Sequence, residues 1–303
     1  MAALLTMLLA MCGACSSEEE EILAAAEEVE STDSLMTVTF QTGVPVDSDA
    51  VQTRAAIDGS YADVLYYILY NGEGTKIIDT NVGGTPIAVR SNKTAAVEFR
   101  VNPGKTYHVV FWAQSSQVTA YTLDASTGIM TIDYSVIPVN DAHYDAFFYT
   151  GEFTPHRGTP IETVYLRRPF QFTRAGVRTV DITSGKCPEP YEATMLHDAY
   201  TKLNLWTGRA TDMESVVFQY NYVANDYYTT ISSDSNGAPY TFVAFAFVLA
   251  DTEDIESCKA DFAYYDEDDT FFQAGLKRTD VGYINSMLKR NRLVTLRYYT
   301  YTY

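Results

Sequence analysis

The side chains able to do chemistry are few, and their spacing brings little of that chemistry together. The 303-residue chain holds 4 His and 4 Cys. His143 sits in Asp141-Ala142-His143-Tyr144-Asp145, where an imidazole beside carboxylates suits acid–base work or a metal ion. A zinc site needs three or four converging ligands, and no second His or Cys lies near in sequence, so His143 reads as a surface histidine. His108 falls on the polar side of a strand pattern, His156 in a loop and His197 in a helical pattern, and none completes a triad. Asp266-Glu267-Asp268-Asp269 is the best cation candidate. A calcium loop of the EF-hand kind wants Gly at position six and Glu at twelve. Counted from Asp266 these are Phe271 and Lys277, so the run reads as a solvated acidic loop. Esterase-elbow, zinc-protease and phosphate-loop motifs are absent. The expectation is no catalytic residue, no metal, no cofactor and no enzymatic activity.

Charge narrows the partners. The formal net charge is −18, and residues 1–34 hold eight acidic residues and no Lys or Arg, which leaves −10 on the remaining 269. An acidic chain without a basic stripe argues against nucleic acid and leaves attraction to basic partners open but undirected.

The N-terminus carries the clearest instruction. Ala2–Met11 is an apolar run too short to span a bilayer and suited to the core of an export signal. It ends in Cys12-Gly13-Ala14-Cys15. Small residues before a cysteine admit a narrow backbone to a lipoprotein signal peptidase, and the segment resembles a bacterial lipobox with Cys15 as the lipidated residue. Cys12 is an unusual residue at the first lipobox position, and as a rival acceptor it follows the bulky Met11. Met1-Ala2-Ala3 lacks the usual Lys or Arg, which fits a true start further upstream. The following Ser16-Ser17-Glu18-Glu19-Glu20-Glu21 resembles the surface-export signal of Bacteroidetes lipoproteins; a plain solvated linker is the other reading, since acidic blocks are usually disordered. The expected location is the outer membrane, lipid-anchored and facing outward.

The elements behind these residues are strands. The chain has 24 Tyr and 15 Phe, types that fit a pleated, half-buried surface. Met36, Val38 and Phe40 alternate with polar residues, Val64–Tyr70 is a continuous apolar run, and Asn102-Pro103-Gly104-Lys105 is a turn leading into Thr106–Gln114. Further strands are expected near 129–134, 144–150, 161–168, 177–182, 215–223, 239–249 and 292–301. Met195, Ala199 and Leu203 share one face of a helix expected between Pro190 and Leu203. The fold class is all-β: a signal peptide (1–15), an acidic linker (16–34), then two tandem antiparallel β-sandwich domains (35–160 and 161–303), with one short helix in the second. Cys187 and Cys258 remain after signal removal; export permits a disulfide, and two buried thiols are the alternative. Tyr220, Tyr222, Tyr227, Tyr228 and the Tyr298–Tyr303 stretch either form a sugar- or peptide-binding face or pack half-buried.

An ordered set of segments is similar to a Bacteroides-type fimbrillin-like lipoprotein family. It comprises Ala62-Asp63-Val64-Leu65-Tyr66-Tyr67, Pro103-Gly104-Lys105-Thr106-Tyr107, Val110-Phe111-Trp112-Ala113-Gln114, Asp145-Ala146-Phe147, Leu166-Arg167-Arg168-Pro169-Phe170 and Leu203-Asn204-Leu205-Trp206-Thr207-Gly208. The resemblance covers roughly residues 35–250 and thins beyond. It implies two transthyretin-like, Greek-key sandwiches on a lipid anchor and a role as fimbrial subunit or adhesin-like protein. In the resembling fimbrillins a trypsin-like protease cuts after an arginine following the first strand, and a neighbour's strand then fills the groove. Arg54 is the matching residue here, or else an ordinary loop arginine with its strand retained. Losing the strand would uncover the partners of Leu35, Met36, Val38 and Phe40, a loss of about 6–12 kcal/mol. Arg292–Tyr303 is either a domain strand or a donor. The alternative function is a surface glycan-binding lipoprotein of a nutrient-uptake system, which requires exposed aromatics to cluster.

Overall fold

The computed structural model describes residues 35–43, 59–158, 161–223, 238–273 and 284–298. The first half is β1 (Met36–Gly43), β2 (Val64–Asn71), β3 (Ile77–Thr80), β4 (Ile87–Ala88), β5 (Thr94–Val101), β6 (Tyr107–Gln114), β7 (Tyr121–Asp124), β8 (Ile129–Ile132) and β9 (Phe147–Phe153). Alternation decides β1 and β5: Val38, Phe40, Val97 and Phe99 turn inward while Thr37, Glu98 and Arg100 face water. The Pro103-Gly104 turn forms as its residues dictate, with Gly104 at φ +81°.

The second half is β10 (Ile161–Tyr165), β11 (Phe170–Arg178), helix α1 (Thr179–Thr183), β12 (Glu192–Asn204), β13 (Arg209–Tyr222), β14 (Tyr240–Leu249), β15 (Ile255–Tyr265), β16 (Phe271–Gln273), β17 (Ile284–Leu288) and β18 (Leu293–Tyr298). Pairing repeats from half to half. β1 lies between β5, antiparallel, and β10, parallel; β11 lies between β14, antiparallel, and β18, parallel. In the facing sheets β2 pairs with β3 and β6, and β6 with β9, just as β12 pairs with β13 and β15, and β15 with β16 and β17. The chain is therefore a tandem pair of β-sandwiches, the expected fold class. Strand β10 lies past residue 160, where the sequence places the domain division, and hydrogen-bonds to β1. Strand β18 occupies its own domain's sheet, so the segment from Leu293 to Tyr298 is a domain strand in this structure.

The two sandwiches share a wall. One face of the β2–β6 sheet supplies Leu65, Leu69, Val109 and Phe111 to the first core, beneath β1 and β5. Its other face supplies Ile68, Tyr70, Val110 and Trp112 to the second core. Double burial explains why these strands read as unbroken apolar runs. The β7–β8 hairpin also crosses over, setting Ile129–Thr131 against Lys202–Asn204 of β12. Trp206, in the β12–β13 turn, lies so close over Gly74 that a Cβ there would stand 2.7 Å from its ring.

The helix expected between Pro190 and Leu203 is strand β12. A spacing of four is even, so Met195, Ala199 and Leu203 share a face in a strand as well as in a helix, and all three are buried. The actual helix is the short α1, at a site whose Val180 and Ile182 suggest a strand.

At the link between domains the Arg168 guanidinium forks onto Asp145, Nε to Oδ1 at 2.7 Å and Nη2 to Oδ2 at 2.8 Å, and lies 5.1 Å over the Phe147 ring. Both partners are buried. Asp145→Ala leaves the buried Arg168 charge uncompensated and is expected to cost about 3–5 kcal/mol, measured by urea unfolding. The double replacement Asp145→Leu/Arg168→Met is expected to cost less than the single one.

Candidate functional site

The first strand is held by core packing and by backbone pairing along both of its edges. Val38, Phe40 and Thr42 of β1 point into the first core. Phe40 meets Phe153, Phe111 and Phe99 with ring centroids 4.8, 5.6 and 5.7 Å away. The backbone is engaged along both edges, eight residues paired with β5 and five with β10, and Gly43 O accepts from Leu166 N at 2.9 Å. Leu35 and Met36 are only half-buried. Val38 and Phe40 therefore carry the apolar contribution, about 3–6 kcal/mol rather than the larger value that four buried side chains imply. Arg54, Cys15 and the Ser16–Glu21 run lie outside the described residues.

The candidates for chemistry disperse. His143 donates from Nδ1 to Asp141 Oδ1 at 2.7 Å and packs against Tyr61, ring centroids 4.1 Å apart and planes tilted by 46°, while Asp145, its other neighbour in sequence, is committed to Arg168. Asp266 turns inward on its own hairpin, accepting from Asp268 N at 3.0 Å and Thr270 N at 2.7 Å, while Glu267, Asp268 and Asp269 face water. Among the described residues no group of three or more His, Cys, Asp or Glu could hold a metal ion. No helix among them is long and apolar enough to cross a membrane. Cys187 and Cys258 are both buried thiols and are not joined to each other.

Two histidines are buried where the sequence suggests otherwise. His108 lies not on a polar face but between the domains, stacked on Trp206 at 3.6 Å. Thr150 Oγ1 donates to Trp206 O, so His108 Nε2 donates to Thr150 at 2.6 Å. Burial lowers its pKa, against the opposing influence of Glu152. His197 faces inward from β12, with Nδ1 donating to Asp198 O at 2.7 Å, and burial lowers its pKa to about 4.

Aromatic side chains do cluster on the outer face of the second domain. Across the sheet Tyr222 of β13 pairs with Glu192 of β12, Glu192 with Tyr265 of β15, and Tyr265 with Phe271 of β16. Tyr220 reaches Tyr265 at 5.6 Å and Tyr191 reaches Tyr222 at 5.2 Å. Tyr191, Tyr220, Tyr222 and Phe271 are 42, 47, 58 and 49% exposed. The sequence singles out Tyr220 and Tyr222 alone, because Tyr191, Tyr265 and Phe271 join them only through strand register. Tyr227, Tyr228 and residues 299–303 lie outside the described residues.

A two-sandwich, all-β architecture with no assembled catalytic constellation among the described residues defines the class. The chain matches the family of unknown function DUF6562 over residues 30–296 and belongs to that family. A search of curated protein sequences returns no match. Similar solved structures include a candidate adhesin from Bacteroides ovatus, at 11% identity, TM-score 0.49 and 89% coverage of each chain. The fimbrial anchor protein Mfa2 from Porphyromonas gingivalis is similar at 10% identity and TM-score 0.43, covering 87% of this chain and 91% of that one. A candidate polysaccharide-binding protein from Bacteroides thetaiotaomicron is similar at 11% identity and TM-score 0.47, covering 77% and 78%.

His197 generates a pH prediction. Its folded pKa lies below the ordinary 6.5, so the unfolded chain binds the proton more readily. The penalty is absent above about pH 6.5 and grows as pH falls towards 4, to about 3 kcal/mol. Urea unfolding between pH 4 and 7 should show a slope that His197→Gln flattens.

Proposed function

We propose that this chain is an exported, lipid-anchored surface protein that acts as a fimbrial subunit or adhesin-like protein. The export signal ending at Cys15, the acidic run Glu18–Glu21 and the ordered fimbrillin-like segments support the location. One structural observation carries the assembly role. β1 is the middle strand of a three-stranded sheet, with β5 and β10 on its two sides, so its removal opens a groove lined by backbone donors and acceptors on both edges. Such a groove accepts a strand by β-augmentation. Cleavage after Arg54, between β1 and β2 in sequence, would convert the retained strand into a replaceable one.

Cys15→Ala is expected to abolish detergent-phase partitioning and leave an unprocessed or soluble product; normal processing and partitioning would refute anchoring at Cys15. For assembly, limited trypsin digestion is followed by sizing. Nicking at Arg54 with growth of higher oligomers is the expected result. A nicked protein that stays a stable monomer with β1 bound would rule out strand exchange, leaving the lipid anchor to be judged by the Cys15 variant.

A further inference from the structure

The cluster on the outer face of the second domain has a distinct chemistry. Tyr191, Tyr220, Tyr222 and Phe271 stand exposed around the partly buried Tyr265, on rigid strands and the residue preceding one of them. A contiguous aromatic face bounded by polar residues marks an interaction surface. Tyrosines suit that role because they bring large contact area with only two side-chain torsions to fix.

The surroundings of these rings are one-signed. Glu192 sits between Tyr222 and Tyr265 in the cross-strand row, and the Asp266–Asp269 turn joins Tyr265 to Phe271. Tyr191 feels Tyr222 first, then burial, then Glu267 and Glu192, all of which raise its pKa. Tyr220 is pushed up to about 12 by burial, by its hydrogen bond to Tyr265 and by Glu192. The charged side chains that act on these two rings are carboxylates. Electron-rich ring faces combined with carboxylates favour a cationic group lying over a ring. The ring geometry bears on the rival ligand. A saccharide chain stacks along rings that share a plane, whereas Tyr220 and Tyr265 are tilted by 46°, Tyr265 and Phe271 by 45°, and Tyr191 and Tyr222 by 71°.

We propose that this face binds a Lys/Arg-bearing protein segment, its cationic side chains seated over Tyr220 and Tyr222 and paired with Glu192 and Glu267. The site is independent of β1 and of any strand exchange. The net charge of −18 adds long-range attraction for the same partner, and the association weakens as salt screens it.

The test titrates the full chain with a fluorescent dodecapeptide alternating Lys, Arg and Gly, with the Lys/Arg→Glu peptide and a neutral xylo-oligosaccharide as rivals. Saturable binding of the basic peptide is expected, at least 10-fold weaker for Tyr220→Ala/Tyr222→Ala, several-fold weaker for Glu192→Gln, and retained by Tyr220→Phe/Tyr222→Phe. Thermal unfolding of each variant accompanies the titration, and Glu192→Gln stands in where the Ala pair proves unstable, unchanged binding by it then overturning the proposal. Equal binding of the basic peptide by wild type and the Ala pair would overturn the proposal, because attraction would then be diffuse. Binding of the oligosaccharide in place of the peptide, or of neither, would overturn it too. Loss of peptide binding by the Phe pair would also count against it, since the rings remain and only the hydroxyls have gone.

Discussion

Strand β6 carries eight side chains and exposes none of them, and most of the architecture follows from that double burial. A sheet covered on one side needs one partner; the β2–β6 sheet needs two, and the second sandwich is the other. Trp112 shows the consequence locally. It is buried in the second core although it belongs to the first domain, and its indole Nε1 donates to Gln114 Oε1 at 2.8 Å because no water reaches it. The inter-domain seam is thus a continuous core, and relative domain motion, the default where interfaces are small and polar, is opposed here.

Most polar groups caught in that seam are satisfied one by one, with His108 Nδ1 and Arg290 Nη2 as exceptions. Arg290, from the turn before β18, donates to Gly208 O at 2.7 Å and Ala250 O at 2.9 Å and lies 5.3 Å over Phe148 of the first domain. Burial lowers its pKa while Asp251 opposes that effect. With the Arg168–Asp145 fork, such bonds fix the angle between sandwiches more narrowly than apolar packing alone, because hydrogen bonds are directional.

Much of this was legible in the sequence where one period fits the residues and a second does not. β1 alternates cleanly, β14 is too short for a membrane and too apolar for a surface, and the Pro103-Gly104 turn has a single reading. β12 was illegible for a definite reason: Met195, Ala199 and Leu203 satisfy both periods, and only His197, buried midway between Met195 and Ala199, and Ala193, buried two residues before Met195, separate them. His108 looks polar by residue type, yet ring stacking on a tryptophan 98 positions away pulls it inside. The candidate sites divide in the same way. The expected lipobox is a local pattern that needs only neighbouring residues to be read, whereas the Tyr191–Phe271 face is assembled from four strands by register and no single segment announces it.

The parallel pairing of β1 with β10 has a mechanical meaning. Tension along β1 acts in shear on the β5 and β10 ladders together, so their hydrogen bonds share the load instead of yielding one by one as in peeling. Resistance to such a pull is set by the height of an unfolding barrier rather than by equilibrium stability. A molecule held through the chain ahead of Leu35 would hold fast under brief loads well beyond what its marginal folding free energy suggests, and would creep under sustained ones.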